Sequence, residues 1–172
     1  MCLPVSISDP RGGQHKTKTR TRPRYVQVDS SATSMEDVLA LGADAYEATS
    51  DPDTFERLTS HFDVILNTVS AALDINGHLG MLDLGGTMIN VGASPEPMSF
   101  SVFSLFGRSV SASSIGGIAE TQEMLDFCAE HGIAAEVEVI TADQVNQAWE
   151  RVLASDVRFR FVIDISTLAP VA

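Results

Sequence analysis

The chain has 172 residues, of which 44% are hydrophobic and 20% are charged, a composition typical of globular proteins. No apolar run approaches the roughly 20 residues of a membrane-spanning helix, and the first residues lack the pattern of a secretion signal. The two cysteines, Cys2 and Cys128, are too few for a disulfide framework or a four-thiolate zinc site. We therefore expect a reduced, cytoplasmic protein without a membrane partner.

The net charge of −12 is unevenly distributed along the chain. Residues 1–30 carry six basic and two acidic side chains, a net of +4, whereas residues 31–172 carry five and 21, a net of −16. Because the acidic part would repel phosphate, the composition argues against nucleic acid as its partner. The basic segment has no apolar periodicity and contains several Pro and Gly residues. We expect residues 1–33 to be a basic, disordered tail, with nucleic-acid contact by this tail as an alternative.

From Ser34 onward, helical and strand patterns alternate. The predicted elements, in chain order, are a helix over 34–42 that ends at Gly42, a short helix from Asp51, a strand over 62–69, a helix over 71–84, a strand over 87–91, a short helix over 99–106, a strand over 109–114 and a helix over 119–131 that ends at Gly132. This alternation predicts an α/β fold with a parallel sheet and right-handed crossovers.

The last forty residues are expected to form a separate strand–helix–strand segment. A half-buried strand is predicted over 137–140, and the sequence from Thr141 to Gln144 has the pattern of a capping box. Apolar residues at helical spacing follow over 145–153, and a closing strand is predicted over 159–164.

Four sequence segments resemble a known family. Residues 120–133 have the sequence ETQEMLDFCAEHGI, and residues 115–117, 142–146 and 156–164 agree with the same family in order and spacing. The chain is similar over about 35–168 to the NADP-dependent, cinnamyl-alcohol-dehydrogenase-like branch of the zinc-type medium-chain alcohol dehydrogenases. The resemblance identifies it as a C-terminal, cofactor-domain fragment of such an enzyme.

The resemblance implies the architecture and the reaction. Residues 34–134 would form a partial Rossmann-like domain, a parallel sheet with helices on both faces that lacks the first βα unit, so that the fourth strand has an open edge. Residues 135–172 would pack on the catalytic domain of the family. The family reaction is hydride transfer between NADPH and an aldehyde, giving a primary alcohol, with zinc polarising the carbonyl oxygen.

The resemblance also implies cofactor-binding positions at the ends of strands. The fourth Rossmann strand would place its end near the nicotinamide ribose, the fifth would face the nicotinamide, and the sixth would meet the carboxamide, while one arginine would approach the pyrophosphate. These positions are, in that order, Asn67, Thr68 and Val69; Val91, Gly92 and Ala93; Ser113, Ser114 and Ile115; and Arg160.

Several family features have no match in this sequence. No segment resembles the zinc-ligand set, and the four histidines show no metal-binding spacing, so we predict no metal site and no catalytic residue. The glycine-rich dinucleotide fingerprint is also missing. Near Ser34 and Met35, no Lys or Arg is present to bind the 2′-phosphate of NADP. The preference for NADP(H) is therefore implied by the family alone.

Two hypotheses follow from this partial match. In the first, the chain is a truncated or frame-disrupted dehydrogenase, inactive by itself, in which residues 1–30 do not descend from the enzyme. In the second, it is a non-enzymatic module that pairs with an intact dehydrogenase subunit or with a second copy of itself.

Overall fold

The computed structural model describes residues 5–8, 24–30, 35–154 and 156–168. It divides into two compact units, Met1–Ser114 and Ile115–Ala172. The longest helix in the described ranges has 13 residues, and none of the described helices has the length and apolar character needed to cross a bilayer.

The first unit contains a six-stranded sheet. Its strands are β1 (Val5–Ser8), β2 (Arg24–Asp29), β3 (Ala45–Ala48), β4 (Phe62–Asn67), β5 (Leu82–Asn90) and β6 (Ser109–Ala112), in the spatial order β3-β2-β1-β4-β5-β6. The pairs β2–β3, β4–β5 and β5–β6 are parallel, whereas β1 is antiparallel to both of its neighbours. This strand order is that of a Rossmann-like cofactor domain, which confirms the predicted fold class.

Two expectations about the N-terminal segment are wrong. Residues 5–8 and 24–29 are strands within the sheet rather than parts of a disordered tail. Residues 1–4, 9–23 and 31–33 of the predicted tail lie outside the described residues. The edge of β4 is not open either, because β1 pairs with it from Val5 opposite Leu66 to Ile7 opposite Val64. An N-terminal strand therefore fills the central position of the sheet.

Among the described residues of the first unit, three α-helices connect strands: α1 (Met35–Ala40), α2 (Thr54–Arg57) and α3 (Ile75–Met81). Helix α1 packs on β3, and α3 packs on β5 and α2. The buried apolar core joins β2, α2, β4, α3 and β5 through Val26, Val28, Leu58, Phe62, Ile65, Ile75, Leu79, Met81, Leu82 and Met88. Since β2 contributes two of these side chains, it is integral to the core and not an addition at its surface.

The helix predicted over 71–84 is shorter in the structure. It begins after Asp74, whose side chain accepts a hydrogen bond from Gly77 N at 3.0 Å and caps the first turn. It ends at Met81 because β5 already starts at Leu82 opposite Phe62, with a register irregularity before Thr87. Strand β3 over 45–48 was not predicted, since four residues give little periodic signal. The helix end predicted at Gly42 is confirmed by its φ of 103°.

The second unit contains α4 (Ile118–Glu130), α5 (Val145–Leu153) and the parallel strands β7 (Glu138–Thr141) and β8 (Phe161–Asp164). The predicted capping interaction is present, since Thr141 N donates to Gln144 Oε1 at 2.9 Å. Arg151 of α5 pairs with Glu138 of β7 at 2.8 Å and lies over the ring of Phe161 in β8. One arginine therefore joins all three elements of the predicted strand–helix–strand segment.

Candidate functional site

Five strands of the first unit end at the same edge of the sheet. Because β2 and β4 both run antiparallel to β1, they are parallel to each other, and β3, β5 and β6 share their direction. The last residues of the five strands are Asp29, Ala48, Asn67, Asn90 and Ala112. Ligands of open parallel sheets bind at this carboxyl edge, beside the loops that follow the strands.

A pair of buried amides ties the ends of β4 and β5 together. Asn67 Nδ2 donates to Asn90 Oδ1 at 2.9 Å, and both side chains are buried. Asn90 Nδ2 continues the chain of hydrogen bonds to Ser111 O of β6 at 3.1 Å, while Asn67 Oδ1 accepts from Val69 N at 3.0 Å. Because each buried polar group has a partner, the three strand ends and the loop after β4 are fixed relative to one another.

The loops after β4 and β5 touch backbone to backbone at Gly92. Val91 N and Gly92 N both donate to Asn67 O, at 2.9 and 3.0 Å. A Cβ added to Gly92 would lie 2.4 Å from Val69 O and 2.6 Å from Thr68 C. Only glycine fits without displacing backbone, so the close approach of these two loops depends on this residue.

An open cleft lies over these two loops, and its empty volume of about 420 Å³ includes the solvent at its mouth. Its wall combines polar groups from the strand ends with apolar groups from the segment before α3 and the loop after β5. The lining residues are Asn67, Val69, Ala71, Ala72, Leu73, Gly92, Ser94, Glu96, Pro97, Met98 and Ser99. Leu73 and Met98 provide the longest apolar side chains of this wall.

The carboxyl end of β2 carries a buried acidic side chain. Asp29 is 6% exposed, and its Oδ1 accepts from Ser30 N at 2.6 Å, whereas its buried Oδ2 has no hydrogen-bond partner. Burial, together with the negative charge of Asp29 and a hydrogen bond to it, raises the pKa of Tyr46 to about 12. The carboxylate and the Tyr46 hydroxyl are therefore neighbours in a poorly solvated region.

The structure brings together most of the predicted cofactor-binding residues. Asn67, Thr68, Val69, Val91, Gly92 and Ala93 lie on the two touching loops, and Ser113 N joins them through a 2.9 Å hydrogen bond to Asn90 O, with Ser114 next in the chain. Ile115 and Arg160 belong to the second unit, where Ile115 is 98% exposed and the Arg160 carbonyl accepts from Glu138 N at 3.0 Å. Their roles, and that of the whole set, stay predictions.

Two residues of this edge were missed by the sequence analysis. Asn90 is the last residue of β5, as Asn67 is the last residue of β4. The occurrence of an asparagine at the end of two successive strands was the sequence signal that could have identified Asn90. Asp29 lay inside the segment interpreted as a tail. An acidic residue directly after the apolar alternation of Val26 and Val28 was the signal there.

The metal-binding potential of the described residues is low. Within residues 5–8, 24–30, 35–154 and 156–168, no three His, Cys, Asp or Glu side chains form a group that could hold a metal ion. Cys128 lies on α4 as a free cysteine, half-buried.

Comparison with known sequences decides the family. The family model described as "Zinc-binding dehydrogenase" matches residues 24–130. The chain belongs to this family. The match begins at Arg24, the first residue of β2, so the expectation that residues 1–30 do not descend from a dehydrogenase is wrong for residues 24–30.

Individual relatives of this dehydrogenase-family chain include a "Probable formaldehyde dehydrogenase AdhA" of Bacillus subtilis, 60% identical over 143 residues. An "NADP-dependent alcohol dehydrogenase C" of Mycobacterium bovis is 57% identical over the same length. Both alignments cover 82% of this chain and 41% of the relative. A solved cinnamyl alcohol dehydrogenase of Sorghum bicolor is 35% identical, with a TM-score of 0.78, covering 86% of this chain and 42% of that one. The chain thus spans about two fifths of the relatives that it matches.

The residues present fit one end of a nicotinamide dinucleotide better than the other. The glycine at position 92 and the fixed loop backbone leave a cleft at the carboxyl ends of β4 and β5. At β2, by contrast, the buried Asp29 carboxylate is unsuited to a 2′-phosphate, because like charges repel strongly away from bulk water.

Proposed function

We propose that this chain provides the nicotinamide-facing part of the cofactor site of an oxidoreductase that interconverts an aldehyde and a primary alcohol. The observation that carries the proposal is the cleft at the ends of β4 and β5, whose floor is fixed by the Asn67–Asn90 pair and by Gly92. The relatives at 60% and 57% identity have dehydrogenase names that agree with this reaction class. When bound, the nicotinamide would supply or accept the hydride.

The residues of this chain would bind and orient the ring rather than carry out the chemistry. Asn67 and Asn90 hold the two loops in register, so that the backbone of Val69 and Gly92 presents a fixed surface to the ring. Leu73 and Met98 would cover the ring and exclude water from it. Orientation of this kind lowers the entropic cost of hydride transfer in a complete active site.

Nuclear magnetic resonance with labelled full-length chain tests the proposal. Titration with NAD⁺, NADP⁺ or nicotinamide mononucleotide should shift the amide signals of Val69, Gly92 and Ala93 together and saturably. Gly92→Ala, which displaces the loop backbone, should abolish these shifts. Gly80→Ala, where an added Cβ meets nothing within 4 Å, is the matched control and should retain them. Absence of amide shifts with all three ligands in the unmodified chain would contradict the proposal.

We also propose that the chain alone does not turn over an aldehyde. It has two cysteines, and none of its segments resembles the zinc-ligand set of the family. The measurement is NADPH or NADH oxidation in the presence of an aldehyde and added Zn²⁺. Turnover above the enzyme-free rate would contradict this part of the proposal and leave the binding part intact.

A second candidate function is pairing with an intact dehydrogenase subunit. It is favoured by the apolar side chains that α4 and α5 expose, among them Ile118, Phe127 and Trp149, which are 93%, 55% and 62% exposed. Exposed apolar surface of this extent is typical of interaction sites. Co-elution with a full-length homologous dehydrogenase in size-exclusion chromatography would support this function, and separate elution at micromolar concentration would oppose it.

A further inference from the structure

Two chain segments contribute most of the lining of the cleft at the ends of β4 and β5. The first wall is residues 69–73, between β4 and α3, and the second wall is residues 92–99, after β5. The first wall leads directly into α3, whose Ile75 and Leu79 belong to the buried core. The first wall therefore ends on an element that is fixed by packing.

The second wall has little packing of its own. Every residue from 95 to 103 is exposed, and the first apolar side chain after this stretch that packs against the core is Leu105. Segments with few buried apolar contacts open locally at a low cost in free energy. The position of the second wall therefore depends on the hydrogen bonds at its ends.

Hydrogen bonds join the two walls at both ends. Near their start, Ala93 N donates to Ser70 Oγ at 3.3 Å. Beyond their other end, Asn76 Oδ1, in the first turn of α3, accepts from Ser101 N and from Ser104 Oγ, both at 2.9 Å. Ser101 lies only two residues after the last residue that lines the cleft. Since successive Cα atoms are about 3.8 Å apart, these bonds limit how far the second wall can move.

The first turn of α3 gives Asn76 a rigid base. Asp74 Oδ1 accepts a hydrogen bond from Gly77 N at 3.0 Å and caps this turn. A Cβ added to Gly77 would lie 2.7 Å from Phe55 Cε1 of α2, so the glycine allows α2 and α3 to approach closely. Through Asn76, the second wall is therefore tied to the packed part of the first unit.

We propose that Asn76 is a positioning residue of the candidate site, whose amide oxygen holds the second wall beside the first and so sets the width of the cleft. This inference rests on the proposed function, since it concerns the same cleft. Asn76 does not line the cleft and would not touch a ligand there. It acts by keeping Met98 and its neighbours in place before a ligand arrives, which lowers the ordering cost of binding.

Three substitutions isolate the hydrogen bonds of Asn76 from its other properties. Asn76→Leu removes the acceptor at similar size, whereas Asn76→Asp keeps an acceptor oxygen at the same distance from the backbone. Ser104→Ala removes one of the two donors. Asn146→Leu, at an exposed position of α5 in the second unit, is the matched control for the change of residue type. Thermal unfolding of each variant shows that it is folded before binding is measured.

Binding to the full chain is followed through the amide signals of Gly92 and Ala93 in titrations with NAD⁺, NADP⁺ and nicotinamide mononucleotide. Asn76→Leu should raise the dissociation constant at least about fivefold, and Ser104→Ala should raise it about twofold or more. Asn76→Asp should restore it to within about twofold of the unmodified chain, because its added charge is exposed and screened by salt. Asn146→Leu should leave it unchanged.

Amide hydrogen exchange of the ligand-free chain gives a second readout. The Ser101 N–H should exchange faster in Asn76→Leu than in the unmodified chain, and Asn76→Asp should restore its protection. This rescue by an acceptor distinguishes a hydrogen bond that positions the wall from a general effect of changing residue 76.

The outcomes separate this inference from the proposed function. An unchanged dissociation constant in Asn76→Leu would overturn the inference and leave the proposed function standing, and Ser104→Ala decides in the same way if Asn76→Leu does not fold. Equal loss of affinity in Asn76→Leu and Asn76→Asp would also overturn it, because the acceptor would then not be the cause. Binding of none of the three ligands by the unmodified chain would overturn the proposed function, and the inference with it.

Discussion

Asn67 Nδ2 and Asn90 Oδ1 are 2.9 Å apart and buried, so a single amide–amide hydrogen bond fixes the ends of two neighbouring parallel strands. The same two side chains reach Val69 and Ser111. The geometry of the candidate site at the carboxyl edge therefore depends on polar groups inside the sheet and not on the loops alone.

Replacing one member of the Asn67–Asn90 pair should destabilise the folded protein. Asn90→Leu leaves the Asn67 amide buried without its acceptor, and we expect the free energy of unfolding to fall by about 1–3 kcal/mol. The double variant, which combines Asn90→Leu with Asn67→Leu, should lose less unfolding free energy than the two single variants lose together. The difference, the coupling energy, should be about 0.5–3 kcal/mol. Urea denaturation followed by circular dichroism measures all four proteins, and strictly additive effects would contradict the role of the pair.

Gly92→Ala should destabilise the protein through backbone overlap. The added Cβ would approach Val69 O to 2.4 Å, and overpacking of this kind costs about 1–3 kcal/mol. Gly80→Ala, in helix α3 with nothing within 4 Å of its added Cβ, should instead stabilise the protein by up to about 1 kcal/mol. Thermal melting of both variants decides the prediction, which fails if the two substitutions shift the melting temperature in the same direction.

Tyr46 should ionise at unusually high pH. In the Tyr25→Phe background, phenolate absorbance should report a pKa of about 12 for Tyr46, and Asp29→Asn should lower this pKa toward 10.0. Since the folded state holds the Tyr46 proton more tightly than the unfolded state, stability should fall as the pH rises from 10.0 to about 12. A Tyr46 pKa that Asp29→Asn leaves unchanged would show that the two side chains do not interact.

His78 should make the fold sensitive to mild acid. Its Nδ1–H donates to the Asp74 carbonyl at 2.7 Å, its ring packs edge-on against Phe55, and burial lowers its pKa from the usual 6.5. The folded state therefore keeps His78 neutral while the unfolded state binds a proton below pH 6.5, so stability is lost as the pH falls through the lowered pKa.

The matched variants for this prediction are His78→Gln and His131→Gln. His78→Gln cannot titrate, so the free energy of unfolding should depend less on pH just below 6.5 than in the unmodified chain. His131 is exposed, and His131→Gln should leave that dependence intact. Denaturant unfolding at several pH values provides the comparison, and identical profiles for the two variants would refute the role of His78.

Much of the fold could be predicted from local patterns, because helix and strand periods and helix ends are properties of neighbouring residues. The helix ends predicted at Gly42 and Gly132 are examples, since both glycines adopt positive φ in the structure. The helix predicted to begin at Ala71 begins instead after Asp74, since the side chain of Asp74 caps the first turn. Short elements such as β3 escaped prediction because four residues carry too little periodicity.

Only part of the candidate site could be predicted, because some of its contacts join residues that are far apart in the sequence. Asn67 and Gly92 were identified from the family resemblance, and the structure shows that their loops touch. Asn90 was missed because its partner is 23 residues away, and Asp29 was missed because its surroundings looked like a polar tail. Pairing across strands and burial both depend on distant parts of the chain.

By itself, the sequence determined the α/β alternation and the family resemblance, because these depend on nearby residues or on runs of matching residues. Only the tertiary structure decided that an antiparallel β1 fills the centre of the sheet, that Asn67 meets Asn90, and that the Asp29 carboxylate is buried with one unpartnered oxygen. The physical reason is that strand neighbours and solvent exclusion are set when segments far apart in the chain pack together.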